Sequence, residues 1–281
     1  MLTLLATLIA VQLQPLGPTD TDTPTRPDTS LVPAARAPSV VGLEASPNRS
    51  VYKIHLAVDV PVTLAGAVVA GIRLFGTEKL IRPSCPCDRA TLNPFDRSSV
   101  KYNNPSIQLV ADVSLALIIA TPIVLDLIDL GFSKPFFEDL MIFIETLALN
   151  TGVQAATALI VQRPRPSSYA GDPGIISRGE GYTSFYAGHV ATTFAAMAVV
   201  SQTLRLRFGI KVWPWILTTA LGTMMALERV GSGAHFPTDV IVGAVAGLAV
   251  GITVPWLHQR APASQVRLVP ARGGLGLAGQ F

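Results

Sequence analysis

Apolar residues along the chain gather into six runs, separated by polar connections rich in proline and glycine. The runs cover about 54–75, 107–129, 136–161, 189–205, 212–228 and 238–257. Each is close to the roughly 20 residues that a helix needs to cross hydrocarbon at about 1.5 Å per residue. Within lipid a backbone segment must satisfy its own hydrogen bonds, so such runs are expected to be helices. The pattern predicts an all-α, integral-membrane bundle of six transmembrane helices over 51–258. Small residues are frequent in the third and sixth runs, as expected where helices approach closely.

The flanks read differently. Residues 1–14 hold an apolar stretch of signal-peptide length, but without a basic leading region or a clear small-residue cleavage site. Residues 15–50 carry seven prolines among Thr, Ser and Asp, and read as a disordered linker. The segment 259–281 reads as a disordered tail.

Composition agrees with a bilayer protein. Charged residues make up 14% of the 281-residue chain, against roughly 25% in an ordinary soluble domain. Mean hydropathy is +0.47 and net charge is +3. No basic stripe is interleaved with aromatics, which sets nucleic acid aside as a partner. The two cysteines, Cys85 and Cys87, are too few to close a structural zinc site. A bridge between them would close a very small ring, so free or intermolecularly paired thiols are the plainer expectation.

If all six runs cross, the connections 76–106, 162–188 and 229–237 share one side. The loop "RLRFGIK", 205–211, holds three basic residues and reads as cytoplasmic. The other side would then face outward, which for a bacterial inner membrane is the periplasm. A cleaved leader would reverse this, but the leader lacks a basic flank and is the weaker signal.

The polar residues on that shared side carry the candidate chemistry. His55 and His258 lie at ends of apolar runs and read as amphipathic end groups. His189 is placed differently, where the loop "TSFYAGH" enters a helix. Gly188 permits close backbone approach there, and a helix start offers free N–H groups to an anion. In "VQRPRPSS", Arg163 and Arg165 alternate with Pro164 and Pro166, and two guanidiniums held so stiffly suit a phosphate fork. In "ERVGSGAHFPTDVIVGA", Pro237 suits a first helical turn. Asp239 is then close enough to bond one nitrogen of His235 and leave the other free as a nucleophile. Arg229 lies six residues earlier and can turn toward the same point. Two imidazoles with guanidiniums suit phosphoryl transfer, one attacking phosphorus and the other protonating the leaving oxygen. No acidic cluster on these loops would hold Mg²⁺, so the chemistry is expected to need neither metal nor cofactor.

These motifs resemble those of the type 2 phosphatidic acid phosphatase superfamily, which also includes vanadium haloperoxidases. Its patterns are KxxxxxxRP, PSGH and SRxxxxxHxxxD. The third is matched in spacing by Arg229, His235 and Asp239, the second by "YAGH" at 186–189, and the first by "ALIVQRPRP" ending on Arg165 and Pro166. The resemblance implies His235 as the nucleophile of a phosphohistidine, Asp239 as its orienting partner and His189 as general acid. It assigns phosphate binding to Arg165, Arg229 and the Gly188 N–H, on a lipid phosphate substrate taken from the bilayer. Three positions depart from the pattern: Ala158 stands for the Lys, Ala187 for the Ser of PSGH, and Glu228 for the Ser before Arg229. Arg163 is the nearby candidate to replace the lost charge. The same losses motivate an alternative, a non-catalytic lipid-phosphate binding or transport protein.

Overall fold

The computed structural model describes residues 50–85, 87–260, 267–271 and 274–278, the last two stretches as backbone only. The possible leader at 1–14, nearly all of the expected linker and parts of the tail lie outside the described residues. Among those described, six helices are long: α1 (Leu56–Leu80), α2 (Pro105–Leu130), α3 (Lys134–Val161), α4 (Gly188–Phe208), α5 (Trp213–Gly231) and α6 (Pro237–His258). Each of the six apolar runs falls on one of them. The protein is all-helical in its membrane part. Within the stretch read as a tail, Arg267–Ala271 and Gly274–Ala278 pair as an antiparallel hairpin.

Local chemistry sets the helix ends. Asn104 caps α2 by accepting from the N–H groups of Ser106 and Ile107, with Pro105 at the first position. Gly131 and Gly209 take positive φ where α2 and α4 stop. Gln162 ends α3 in the left-handed conformation, just before the prolines. Pro237 opens α6, and the Asp239 side chain accepts from the Phe236 N–H.

Four helices are long and apolar enough to cross a membrane: Leu56–Leu80, Pro105–Leu130, Pro237–His258, and α3 counted with its continuation to Tyr169. Large apolar side chains such as Leu74, Phe75, Ile128 and Ile160 point outward, as a lipid-facing surface requires. The helices α4 and α5 do not meet that standard. For α4 the reason is its place in the bundle: it packs against α2, α3, α5 and α6, and most of its length is buried. A helix enclosed by protein needs little lipid-compatible surface, so Thr192, Thr193, Ser201 and Gln202 are tolerated inside.

Close backbone contact holds α4 to α6. A Cβ on Gly243, Gly247 or Gly251 would collide with the carbonyl oxygens of Ala187, Ala191 and Ala195 in turn. The two i, i+4 rows thus run past each other with no room for a side chain. Gly66 of α1 and Gly152 of α3 meet in the same way. These seams fix how the loop-bearing helix ends face one another. Cys85 and Cys87, expected as unpaired within the chain, are joined by a disulfide with Cα atoms 4.5 Å apart.

Candidate active site

The connections 76–106, 162–188 and 229–237 come together at one end of the bundle. Their anchor is Asp96, fully buried in a short helical turn, Pro94–Arg97. Its carboxylate accepts from Arg163 Nη2 at 2.7 Å, Thr238 Oγ1 at 2.7 Å, the Thr238 N–H at 3.0 Å and Asn93 Nδ2 at 2.7 Å. Burial alone would raise this carboxyl's pKa. The hydrogen bonds outweigh it and hold Asp96 below the ordinary carboxylate range.

Arg163 is committed to that network. Its other nitrogen pairs with Asp239 Oδ1, and its guanidinium lies 4.3 Å from the Phe236 ring centroid. The expectation that Arg163 replaces the missing motif Lys is therefore corrected: both ends of its fork are occupied by carboxylates, and it braces the loops.

His235 is 3% exposed. Its Nδ1 lies 2.7 Å from the carbonyl oxygen of Ser184. A carbonyl only accepts, so Nδ1 carries the proton and Nε2 bears the lone pair. This corrects the expected partner. Asp239 Oδ2 is 3.9 Å from Nδ1 and instead accepts from Ser184 Oγ at 2.5 Å and the Phe236 N–H at 3.0 Å. Asp239 thus acts on the imidazole through Ser184, holding the residue whose carbonyl fixes the tautomer. Burial first, then the charges of Arg165 and Arg229, keep the His235 pKa well below the ordinary histidine value, against the opposing pull of the Ser184 carbonyl. The ring is neutral at physiological pH.

Around it stand three cationic or titratable groups. Arg165, 9% exposed, donates through Nε to the Glu180 carbonyl at 3.0 Å and through Nη2 to Thr183 Oγ1 at 3.3 Å. Arg229, 3% exposed, reaches Asp112 Oδ1 at 3.4 Å, and its Nε finds no partner among the described residues. His189 Nε2 lies 2.8 Å from the same Asp112 oxygen. Gly188 opens α4, and a Cβ there would press on Gln154, whose amide holds the Tyr186 carbonyl at 2.9 Å. A cavity of about 220 Å³ opens beside Arg165, between the 175–181 loop and residues 232–234.

Three participants gave no local sequence signal. Asp112, on α2, faces both His189 and Arg229. Ser184 supplies the carbonyl that orients His235. Arg73, near the end of α1, directs Nη2 to Thr183 Oγ1 at 3.4 Å, the hydroxyl that Arg165 also contacts. Its Nε is buried without a partner among the described residues. The Glu180 carboxylate stands 3.4 Å from Arg165 Nη2 and offsets one of these charges, so two guanidiniums sharing one hydroxyl keep a net positive charge for a further anion. Glu228 takes a bond from Ser114 at 3.5 Å rather than an arginine.

With this geometry in place, comparison with known proteins is decisive at one point. The family model described as the PAP2 superfamily matches residues 139–263. That segment belongs to the PAP2 superfamily. The PAP2 segment runs from α3 to just past α6 and holds every motif residue, while Arg73 and Asp112 lie N-terminal to it. Among solved structures, LpxE of Aquifex aeolicus is 23% identical with a TM-score of 0.42, covering 56% of this chain and 90% of that one. A transmembrane PAP2-type phosphatidylglycerolphosphate phosphatase of Bacillus subtilis is 18% identical with a TM-score of 0.44, covering 71% and 94%. No curated protein gives a significant match.

Proposed function

We propose that this integral membrane protein is a lipid phosphatase that cleaves a phosphomonoester or diphosphate on a lipid head group. The observation that carries the reading is the buried, neutral His235, with Nδ1–H spent on the Ser184 carbonyl and Nε2 available beside Arg165 and Arg229. Nε2 attacks phosphorus and the P–O bond to the lipid breaks, giving a phosphohistidine. Burial and the Arg229 charge push the His189 pKa down to about 4, so the bound phosphate, by offsetting that charge, lets the ring take up the proton that it then gives to the departing oxygen. Water then attacks the phosphohistidine, His189 takes the water proton, and inorganic phosphate leaves with His235 restored. Arg165, Arg229 and the Gly188 N–H at the α4 start hold the equatorial oxygens. Arg73 supplies the cation that the family pattern places at Ala158. The chemistry uses no metal.

The basic residues at the α4–α5 turn support a cytoplasmic location for that end and a periplasmic site in a bacterial inner membrane. Binding without turnover is the second reading, favoured by Ala187 in place of a hydroxyl. The deciding experiment is phosphate release by detergent-purified protein over a panel of lipid phosphates, with EDTA present and His235→Ala as control. EDTA-resistant release that disappears in the variant supports the enzyme. Tight binding of a lipid phosphate with no release by either protein supports the alternative.

A further inference from the structure

Away from the catalytic loops, three buried side chains from three helices face one another. Asp59 lies in the first turn of α1, Glu145 in the middle of α3 and His258 at the end of α6. One oxygen or nitrogen from each falls within 4.8 Å of the others. His258 Nδ1 lies 2.8 Å from the Val254 carbonyl, so Nδ1 carries a proton and Nε2 turns toward the carboxylates. Nε2 is 3.2 Å from Asp59 Oδ1 and 3.8 Å from Glu145 Oε2.

Glu145 is the independent sign that a ligand belongs here. It is 4% exposed, and its Oε2, aimed at His258, makes no hydrogen bond among the described residues. A buried carboxylate oxygen without a donor is costly. Two carboxylates facing one imidazole leave net negative charge even when that imidazole is protonated, whereas a divalent cation neutralises the pair.

We propose that Asp59, Glu145 and His258 form a structural site for a divalent cation of the zinc class, with water completing the shell. Ligands at about 2.0–2.1 Å in a tetrahedron stand roughly 3.3 Å apart; the His258–Asp59 separation of 3.2 Å matches this, and the Glu145 side chain, at 3.8 Å from His258, has to draw inward to bind. An imidazole with two carboxylates is a donor set that suits such a cation. The supporting bonds are also in place: the Val254 carbonyl fixes the ring, and the His55 N–H donates to Asp59 Oδ2 at 2.6 Å. The Lys53 N–H reaches the His258 carbonyl at 2.8 Å, tying the chain before α1 to the end of α6. A cation there pins α1, α3 and α6 together, independently of the chemistry proposed at His235.

The test uses full-length protein purified through a tag without histidine, stripped with chelator and loaded with Co²⁺ or Zn²⁺. The expected result is visible Co²⁺ absorption at one equivalent, a rise in thermal midpoint of several degrees with Zn²⁺, and loss of both in Glu145→Gln and His258→Ala. The absorption reads coordination whether or not a variant is less stable. Glu145→Gln removes a buried charge, so its metal-free form should fold. Absence of the band from the wild-type protein, or a band that persists in both variants, overturns the assignment and leaves a triad held by a proton.

Discussion

Arg73 offers the sharpest test of how this site makes up for Ala158. The Nη2 atoms of Arg73 and Arg165 reach one hydroxyl at 3.4 and 3.3 Å, so they lie no more than 6.7 Å apart with the two bonds laid end to end. At an effective dielectric of about 20, two unit charges at that distance repel by roughly 2.5 kcal/mol. A phosphoryl group between them relieves the repulsion and gains a charge-assisted contact. Removing such a contact from a bound anion costs about 1.5–3 kcal/mol. Expressed as kcat/KM, that is a loss of roughly 10- to 150-fold for Arg73→Ala. Arg73→Lys keeps the charge and should recover much of it. Ala158→Lys, placed on α3 where the family pattern has its lysine, should restore activity in the Arg73→Ala background and change little alone. The assay is steady-state phosphate release in mixed micelles, with thermal midpoints measured in parallel. A drop below threefold in Arg73→Ala, or a drop matched by unfolding and not rescued by lysine at either position, would refute the argument.

Other outcomes follow from the same geometry. His235→Ala should abolish turnover while leaving the fold intact by circular dichroism. His189→Ala should lose far less on an aryl phosphate than on a lipid, because a good leaving group needs little protonation; equal losses on both would remove His189 from that role. Asp112→Asn takes a carboxylate away from His189 and Arg229, so inorganic phosphate should inhibit about fivefold more tightly, an effect of roughly 1 kcal/mol for a half-exposed group. The low His235 pKa has a stability consequence with a definite sign. The unfolded chain binds a proton near pH 6.5 that the folded chain refuses, so this contribution is intact above about pH 6.5 and is lost as pH falls. Thermal midpoints from pH 7 to 5 should fall more steeply for the wild type than for His235→Asn, and parallel curves would be the contrary result. Gly247→Leu on α6 meets the Ala191 carbonyl and should cost at least about 1–3 kcal/mol, read as lost thermal stability and lost activity together.

The helices were legible in the sequence because lipid demands long apolar runs, and each run lies on a helix. The motif residues were legible because their spacing is local: six and four residues join Arg229, His235 and Asp239. The partners were not. Arg163 meets Asp96 from 67 residues away, and Arg73 meets Thr183 from 110. No periodicity announces such a pairing. The orienting bond on His235 is hidden from the sequence for a related reason. A backbone carbonyl can come from any residue type, so sequence points to the nearby carboxylate instead. The run in α4 shows a helix but not its surroundings: its buried Thr, Ser and Gln face neighbouring helices, which periodicity does not reveal.

The glycine seam between α6 and α4 has a consequence for how this protein can vary. His189 stands at the start of one helix and His235 just before the other, and the backbones behind them touch without side chains between. The separation of the two imidazoles is therefore set by main-chain thickness, which substitution can increase but never decrease. Arg73 and Asp112 come from α1 and α2, which lie outside that seam. On the proposed function, inheritance can thus retune the head group accepted by changing the outer pair of helices, while the inner pair keeps the reaction geometry as a fixed gauge.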